Sequence, residues 1–120
     1  MIKTNTDLKS RSYKFSLDII SFIQNISNSK ISLVLINQLL RSATSIGANI
    51  FEAKSSSSKR DFIKFFEISL KSANETEYWL NLFKDSRISS VKEVDILLDE
   101  LVELSKMIAA SLLTMKNKRN

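Results

Sequence analysis

Cysteine, histidine and proline are absent from these 120 residues, and glycine occurs once. Without cysteine there are no disulfides and no thiolate chemistry, and a reducing, cytoplasmic setting is the expectation. Without histidine the chain lacks both the imidazole metal ligand and the commonest general base. The shortage of proline and glycine leaves too few turn formers for a protein of many short strands. The beginning of the chain is polar from Lys3 to Lys14, so the order of charge, apolar run and cleavage site that marks a secretory signal is missing, and export by that route is not expected.

What is present is apolar enough to fold. Hydrophobic residues make up 43% and charged residues 26% of the sequence, which excludes disorder. A chain of this length forms one domain around one core, domains commonly running to about 100 to 150 residues. The net charge is +5, unevenly spread: residues 1–54 carry seven basic and three acidic side chains, residues 55–120 eleven and ten.

Apolar residues recur at steps of three and four, the period of a buried helix face. Phe15, Ile19, Phe22 and Ile26 form one stripe, and Tyr13, Leu17 and Ile20 a neighbouring one, predicting a broad buried face on a helix over 7–27. A second helix over 31–54 places Leu33, Ile36, Leu39, Ala43, Ile46, Ile50 and Ala53 together, with Gly47 where tight packing or a bend is required. A third over 59–85 aligns Phe62, Phe66, Ser69, Ala73, Thr76, Leu80 and Phe83. A fourth over 91–116 aligns Val94, Leu98, Leu101, Ser105, Ile108, Leu112 and Met115, widened by Leu97 and Leu104, with a frayed tail from Lys116. Ser58 with Asp61, and Ser90 with Glu93, have the spacing of capping boxes. Short loops between long helices make neighbours antiparallel, so the expected fold is an all-α, up-down-up-down four-helix bundle.

The stretch from Ile31 to Phe51 holds a single charge, Arg41, and is long enough for a membrane span of roughly 20 residues. Asn37, Gln38, Ser42, Thr44, Ser45 and Asn49 argue against one, because lipid offers these groups no partners. A carboxylate di-metal site of the kind that bundles host needs histidines that this chain lacks, and Glu52, Glu67, Glu75 and Glu100 would have to converge by chance. No cofactor is expected.

Two constellations remain. On the second helix Gln38, Ser42, Ser45, Asn49 and Glu52 form a polar stripe whose side chains are short and, Glu52 aside, uncharged; burial against another helix or subunit is one reading and solvent exposure the other. Ile68, Ser72, Glu75 and Trp79 form a matching stripe on the third helix, with Arg41, Asn49 and Ser72 able to supply donors to a buried Glu52 or Glu75. The other constellation is basic: Lys54, Lys59, Arg60, Lys64 and Lys71 gather about Ser55–Ser58 and the following helix, either as phosphate contacts or as an ordinary solvated run. Among the aromatics, Phe65 and Trp79 fall off the main seam and suit a contact with another subunit.

The segment Arg41-Ser-Ala-Thr-Ser-Ile-Gly-Ala-Asn-Ile-Phe-Glu52, then Ser58-Lys-Arg-Asp-Phe-Ile-Lys-Phe-Phe66 and Ser72-Ala-Asn-Glu-Thr-Glu77, resembles the bacterial four-helix-bundle proteins encoded in 23S ribosomal RNA intervening sequences. It is also similar to the accessory variability protein of diversity-generating retroelements. Ser42, Thr44, Ser45, Ile46, Asn49, Ile50, Glu52, Asp61, Phe62, Ser72, Glu75 and Glu77 carry the likeness. Ala53 and Lys71 depart from it, each standing where the pattern has glycine.

What the resemblance implies is a homo-oligomer, a pentameric barrel of bundles, with a basic surface for RNA or DNA and, in the retroelement relatives, a reverse transcriptase as partner. The expected function is therefore a non-enzymatic oligomeric scaffold that binds nucleic acid through Lys54, Lys59, Arg60, Lys64 and Lys71. Arg41, Ser45, Asn49, Glu52, Ser72 and Glu75 would serve packing or assembly. The competing expectation is a protein adaptor that docks a basic partner, such as a polymerase, on Glu93, Asp95, Asp99, Glu100 and Glu103 without touching nucleic acid.

Overall fold

Each helix starts where a short polar side chain can satisfy the free N–H groups of a first turn. In the computed structural model, which describes residues 7–118, α1 spans Leu8–Gln24, α2 Lys30–Ser55, α3 Lys59–Asp85 and α4 Val91–Asn117. Asp7 caps α1 by accepting from the Lys9 N–H at 3.4 Å. Ser58 and Ser90 cap α3 and α4, accepting from Asp61 and Glu93 N–H at 3.1 and 3.4 Å. Neither carboxylate returns the bond, so only half of each expected box forms. The reciprocal box lies at α2, where Ser32 N–H donates to Ser29 Oγ at 3.0 Å and Ser29 N–H to Ser32 Oγ at 2.8 Å.

α1 ends three residues before the expected boundary at 27. The N–H groups of Asn25 and Ile26 turn back to Phe22 and Ile23 carbonyls at 3.2 and 3.1 Å, a tightening that closes the helix. α4 keeps its helical course through Lys116 to Asn117, so fraying does not begin at Lys116. Lys3 at one end, and residues 119–120 of the expected tail, lie outside the described residues.

Around the bundle each helix packs on its two neighbours, α2 against α3 most extensively, while α1 and α3, like α2 and α4, sit on diagonals. Pairs of touching residues show the direction of each neighbour. Ser42 meets Thr76 and Ile46 meets Ser69 across α2 and α3, while Lys84 meets Asp95 and Glu67 meets Lys116 across α3 and α4. As one number rises the other falls, so the neighbours run antiparallel. Among the described residues no helix is long and apolar enough to cross a membrane.

The core takes Phe15, Ile19 and Phe22 from α1, Ile36, Leu39, Ile46 and Ile50 from α2, Phe66, Leu80 and Phe83 from α3, and Val94, Leu101, Leu104 and Ile108 from α4. Phe22 and Phe83 meet edge to face across the diagonal at 5.9 Å. The second stripe of α1 is a correction: Tyr13, Leu17 and Ile20 are exposed, Tyr13 at 65%. Four helices close a core that reaches only one side of α1, and these residues stand beyond its edge. Leu33 on α2 is likewise exposed for this reason. On α4 the buried line shifts to Leu97 and Leu104, leaving Leu98, Ser105 and Met115 half-buried.

Gly47 marks a close approach, not a bend. A Cβ there would stand 3.3 Å from the Ser12 carbonyl oxygen of α1, so the missing side chain is what lets the two backbones meet.

The α3–α4 turn places Arg87 at φ 61°, in the left-handed region that favours glycine. Arg87 N–H donates to the Lys84 carbonyl at 3.2 Å and Ile88 N–H to Phe83 at 3.3 Å, the paired bonds of a Schellman end, and Ile88 packs on the core. Arg87→Gly is therefore expected to stabilise the fold by about 1 kcal/mol, read as a higher midpoint in urea with unchanged slope. A lower midpoint would show that the left-handed residue is not where the turn is strained.

Candidate functional site

Where α2 faces α3 the contact is lined by hydroxyls. The buried Thr76 hydroxyl is shared between Ser42 Oγ at 2.9 Å and the Ser72 carbonyl at 2.7 Å. Ser72 Oγ donates to Ser45 Oγ at 2.9 Å, and Ser69 Oγ to the Ile46 carbonyl at 2.9 Å. Asn49 Nδ2 completes the group, donating to the Ser45 carbonyl at 2.8 Å and to Ser45 Oγ at 3.0 Å. Of the polar stripe on α2, then, Ser42 is buried, Gln38, Ser45 and Asn49 are half-buried, and Glu52 alone stays exposed with no ion-pair partner among the described residues. The partner of the stripe is α3 of the same chain.

At one end the seam opens into a charged network. Arg41 reaches Glu75 across the helices and also donates to Gln38 Oε1 at 2.9 Å, while Trp79 Nε1 donates to the same Glu75 carboxylate at 2.9 Å. The Trp79 bond, followed by the Arg41 bond, holds the Glu75 carboxyl below the usual carboxylate range. Trp79 is half-buried, with the exposed Tyr78 ring edge-on at 5.0 Å, and Phe65 is half-buried higher on the same side.

The basic residues fall into two groups. Lys54 at the end of α2 and Lys59 in the first turn of α3 flank the serine loop; the Lys54 ammonium lies 5.9 Å from the Phe62 ring, and Lys59 Nζ donates to the Lys118 carbonyl at 2.6 Å. Arg60, Lys64 and Lys71 instead follow the outward line of α3, about 16 Å from first to last at the helical rise per residue. Glu67 shares that line, but Lys116 of α4 occupies it at 2.8 Å. None of Arg60, Lys64 and Lys71 has an ion-pair partner among the described residues. The loop serines are less available than expected, since Ser55 and Ser56 donate to the Phe51 and Ala53 carbonyls and Ser58 is the α3 cap. Asp61 brings its own negative charge to that helix N-terminus.

The acidic residues of α4 are partly engaged. Glu100 takes a two-pronged bond from Arg11 of α1, at 2.7 and 3.1 Å, and Asp95 pairs with Lys84 at 3.0 Å. The Arg11–Glu100 pair was not predicted from the sequence, because its members stand 89 positions apart. Glu52, Glu67, Glu75 and Glu100 do not converge, and among the described residues no cluster of three or more acidic side chains could hold a metal ion.

The family model described as 23S rRNA-intervening sequence protein matches residues 4–110. The chain belongs to that family. The fold agrees: a crystal structure of a protein with unknown function from the S23 ribosomal protein family of Bacteroides thetaiotaomicron superposes with a TM-score of 0.83. The two are 35% identical, over 88% of this chain and 98% of that one. Among curated proteins nothing matches. In this family member both positions that depart from the glycines of the pattern are occupied without interrupting a helix: Ala53 is buried in α2, and Lys71 stands exposed on α3.

The Arg41–Glu75–Trp79 network yields a pH-dependent prediction. A carboxyl with a lowered folded pKa adds stability above its unfolded value, about 4.3, and that stability is lost as pH falls through the lower folded value. Because Arg41 and Glu75 are more than a third exposed, the contribution is discounted to below about 1 kcal/mol. Glu75→Gln should therefore lower Tm by about 2 to 4 °C at pH 7 and by much less at pH 3. An equal deficit at both pH values in thermal melts would contradict the charge argument.

Proposed function

We propose that this protein is a non-enzymatic helical scaffold of a reducing cytoplasm that associates with itself and binds RNA or an RNA–DNA hybrid along the outer ridge of α3. The observation that carries the reading is the row Arg60, Lys64 and Lys71, whose one interleaved acid, Glu67, is occupied by Lys116. Three cations at this spacing follow a phosphate backbone by charge alone, without reading bases. Lys54 and Lys59 extend the positive surface around the end of the bundle. A single copy offers few contacts, and copies held together multiply them. The family's description by an intervening sequence of 23S rRNA supports a nucleic-acid context.

The adaptor reading is weaker on this surface. Glu100, Asp95 and Glu103, three of the five carboxylates it needs, already pair with Arg11, Lys84 and Lys106. A reverse transcriptase or other basic partner would have to compete with those pairs.

Fluorescence anisotropy with a labelled RNA hairpin and with an RNA–DNA hybrid tests the proposal. Affinity should fall roughly thirtyfold between 50 and 200 mM salt if about three phosphates are neutralised. Arg60→Glu, Lys64→Glu and Lys71→Glu combined should remove most of the binding at low salt, and Lys106→Glu on α4 should remove little. A flat titration of the unaltered protein in low salt overturns the reading.

A further inference from the structure

The cationic line of α3 does not stop at Lys71. Asn74 and Tyr78 carry it on at steps of three and four, and Tyr78, eighteen residues after Arg60, stands about five whole turns along and so at the same angle around the helix. Both are exposed, Tyr78 at 60%. Lys71 and Tyr78 are about 10 Å apart at the helical rise. The neighbouring acid, Glu77, leaves the helix about 100° away from that line, and Glu75 is held by Arg41 and Trp79.

The other exposed rings are placed differently. Phe51 lies under the Lys9 ammonium at 4.2 Å, and Tyr13 lines the same hollow between α1 and α2. Tyr78 is instead fixed from one side only: its ring meets Trp79 edge to face at 5.0 Å, and the Trp79 indole is anchored by its bond to Glu75 at 2.9 Å. A ring already held in place loses little freedom when something packs on it. Asn74, one turn earlier, is likewise unoccupied. Asn25, Asn49 and Asn81 return their amides to the carbonyl four residues back, at 3.3, 2.8 and 3.1 Å, and Asn74 makes no such bond among the described residues.

Phosphates call for cations, not for an aromatic ring or a neutral amide, whereas bases can use both. A base inside a duplex is covered on its two faces by its neighbours and cannot reach such a ring, but an unpaired base can stack on it and offer its edge to an amide. We infer that Tyr78 is a stacking platform for an unpaired base, with Asn74 beside it for the edge of that base. The ligand of α3 is then RNA in which a loop or an overhang adjoins the strand held by Arg60, Lys64 and Lys71. This contact rests on the α3 reading above and names the kind of RNA it takes: the cations hold the strand, and Tyr78 selects where along it.

Fluorescence anisotropy on the full chain at low salt tests the contact with three labelled RNAs that share one stem: a hairpin closed by an adenosine loop, the same hairpin with an abasic loop, and the stem as a blunt duplex. The adenosine hairpin should bind roughly tenfold more tightly than the other two, the order expected of one base on an aromatic ring. Tyr78→Ala should remove this preference while leaving affinity for the blunt duplex within about twofold, and Tyr78→Phe should keep the preference. The salt dependence should be the same in Tyr78→Ala, because no cation is lost. Circular dichroism checks that each variant keeps its helices. Equal affinity of the unaltered protein for all three RNAs, or a preference that survives Tyr78→Ala, overturns the stack and leaves the cationic ridge standing. Binding to none of the three overturns both.

Discussion

The approach of α2 to α3 is set by hydroxyls, and the rest of the bundle follows from it. Ser42, Ser69, Ser72 and Thr76 occupy positions that a larger apolar residue would fill, and each has a partner across the interface or in the adjacent turn. Leucine–leucine contacts tolerate sliding, because dispersion is non-directional. Buried hydroxyls do not, because a slip of one turn, about 5.4 Å, would leave several of them without partners at roughly 1 to 3 kcal/mol each. The seam therefore fixes the register of the two helices. That register brings Arg41 to Glu75 and aims the basic line of α3 away from the core. Gly47 does for α1 what the hydroxyls do for α3, by admitting the Ser12 backbone.

Four helices, their order and most of the core were legible in the sequence, because a period of three and four residues records which side of a helix avoids water. The period does not record how wide that side is. Tyr13, Leu17 and Ile20 sit beside a true core stripe and share its chemistry, and only the positions of α2 and α4 decide that they stay outside. Capping was legible in part: Ser58 and Ser90 cap as their spacing suggests, while the complete box at Ser29 and Ser32 was hidden in a run of serines and asparagines whose composition reads as loop. Arg87 left no signal, since a left-handed turn without glycine looks like any other residue.

The polar stripe was visible as an oddity, short uncharged side chains where long charged ones are usual, but its partner could not be chosen from sequence. The same pattern serves a seam within a chain or between chains until the neighbouring helix is in place. The basic residues were grouped by proximity along the chain, and the helix regroups them. Lys54 and Lys59 turn toward the end of the bundle, whereas Arg60, Lys64 and Lys71 share one line because four and seven residues are close to whole turns.

The charges and the apolar surface are separated by helix. α2 turns an almost uncharged face outward, α3 a basic one, and α4 a mixture of acids and bases, several of which pair with each other or with Arg11, Lys84 and Glu67 of the neighbouring helices. Placing the apolar band on α2 and the cations on α3 has a physical consequence. A contact through apolar residues would depend weakly on salt, while the binding proposed along α3 would depend on salt steeply. The proposed self-association would support the proposed nucleic-acid binding whatever its geometry, since the cations that one chain lacks in number would be supplied by its neighbours.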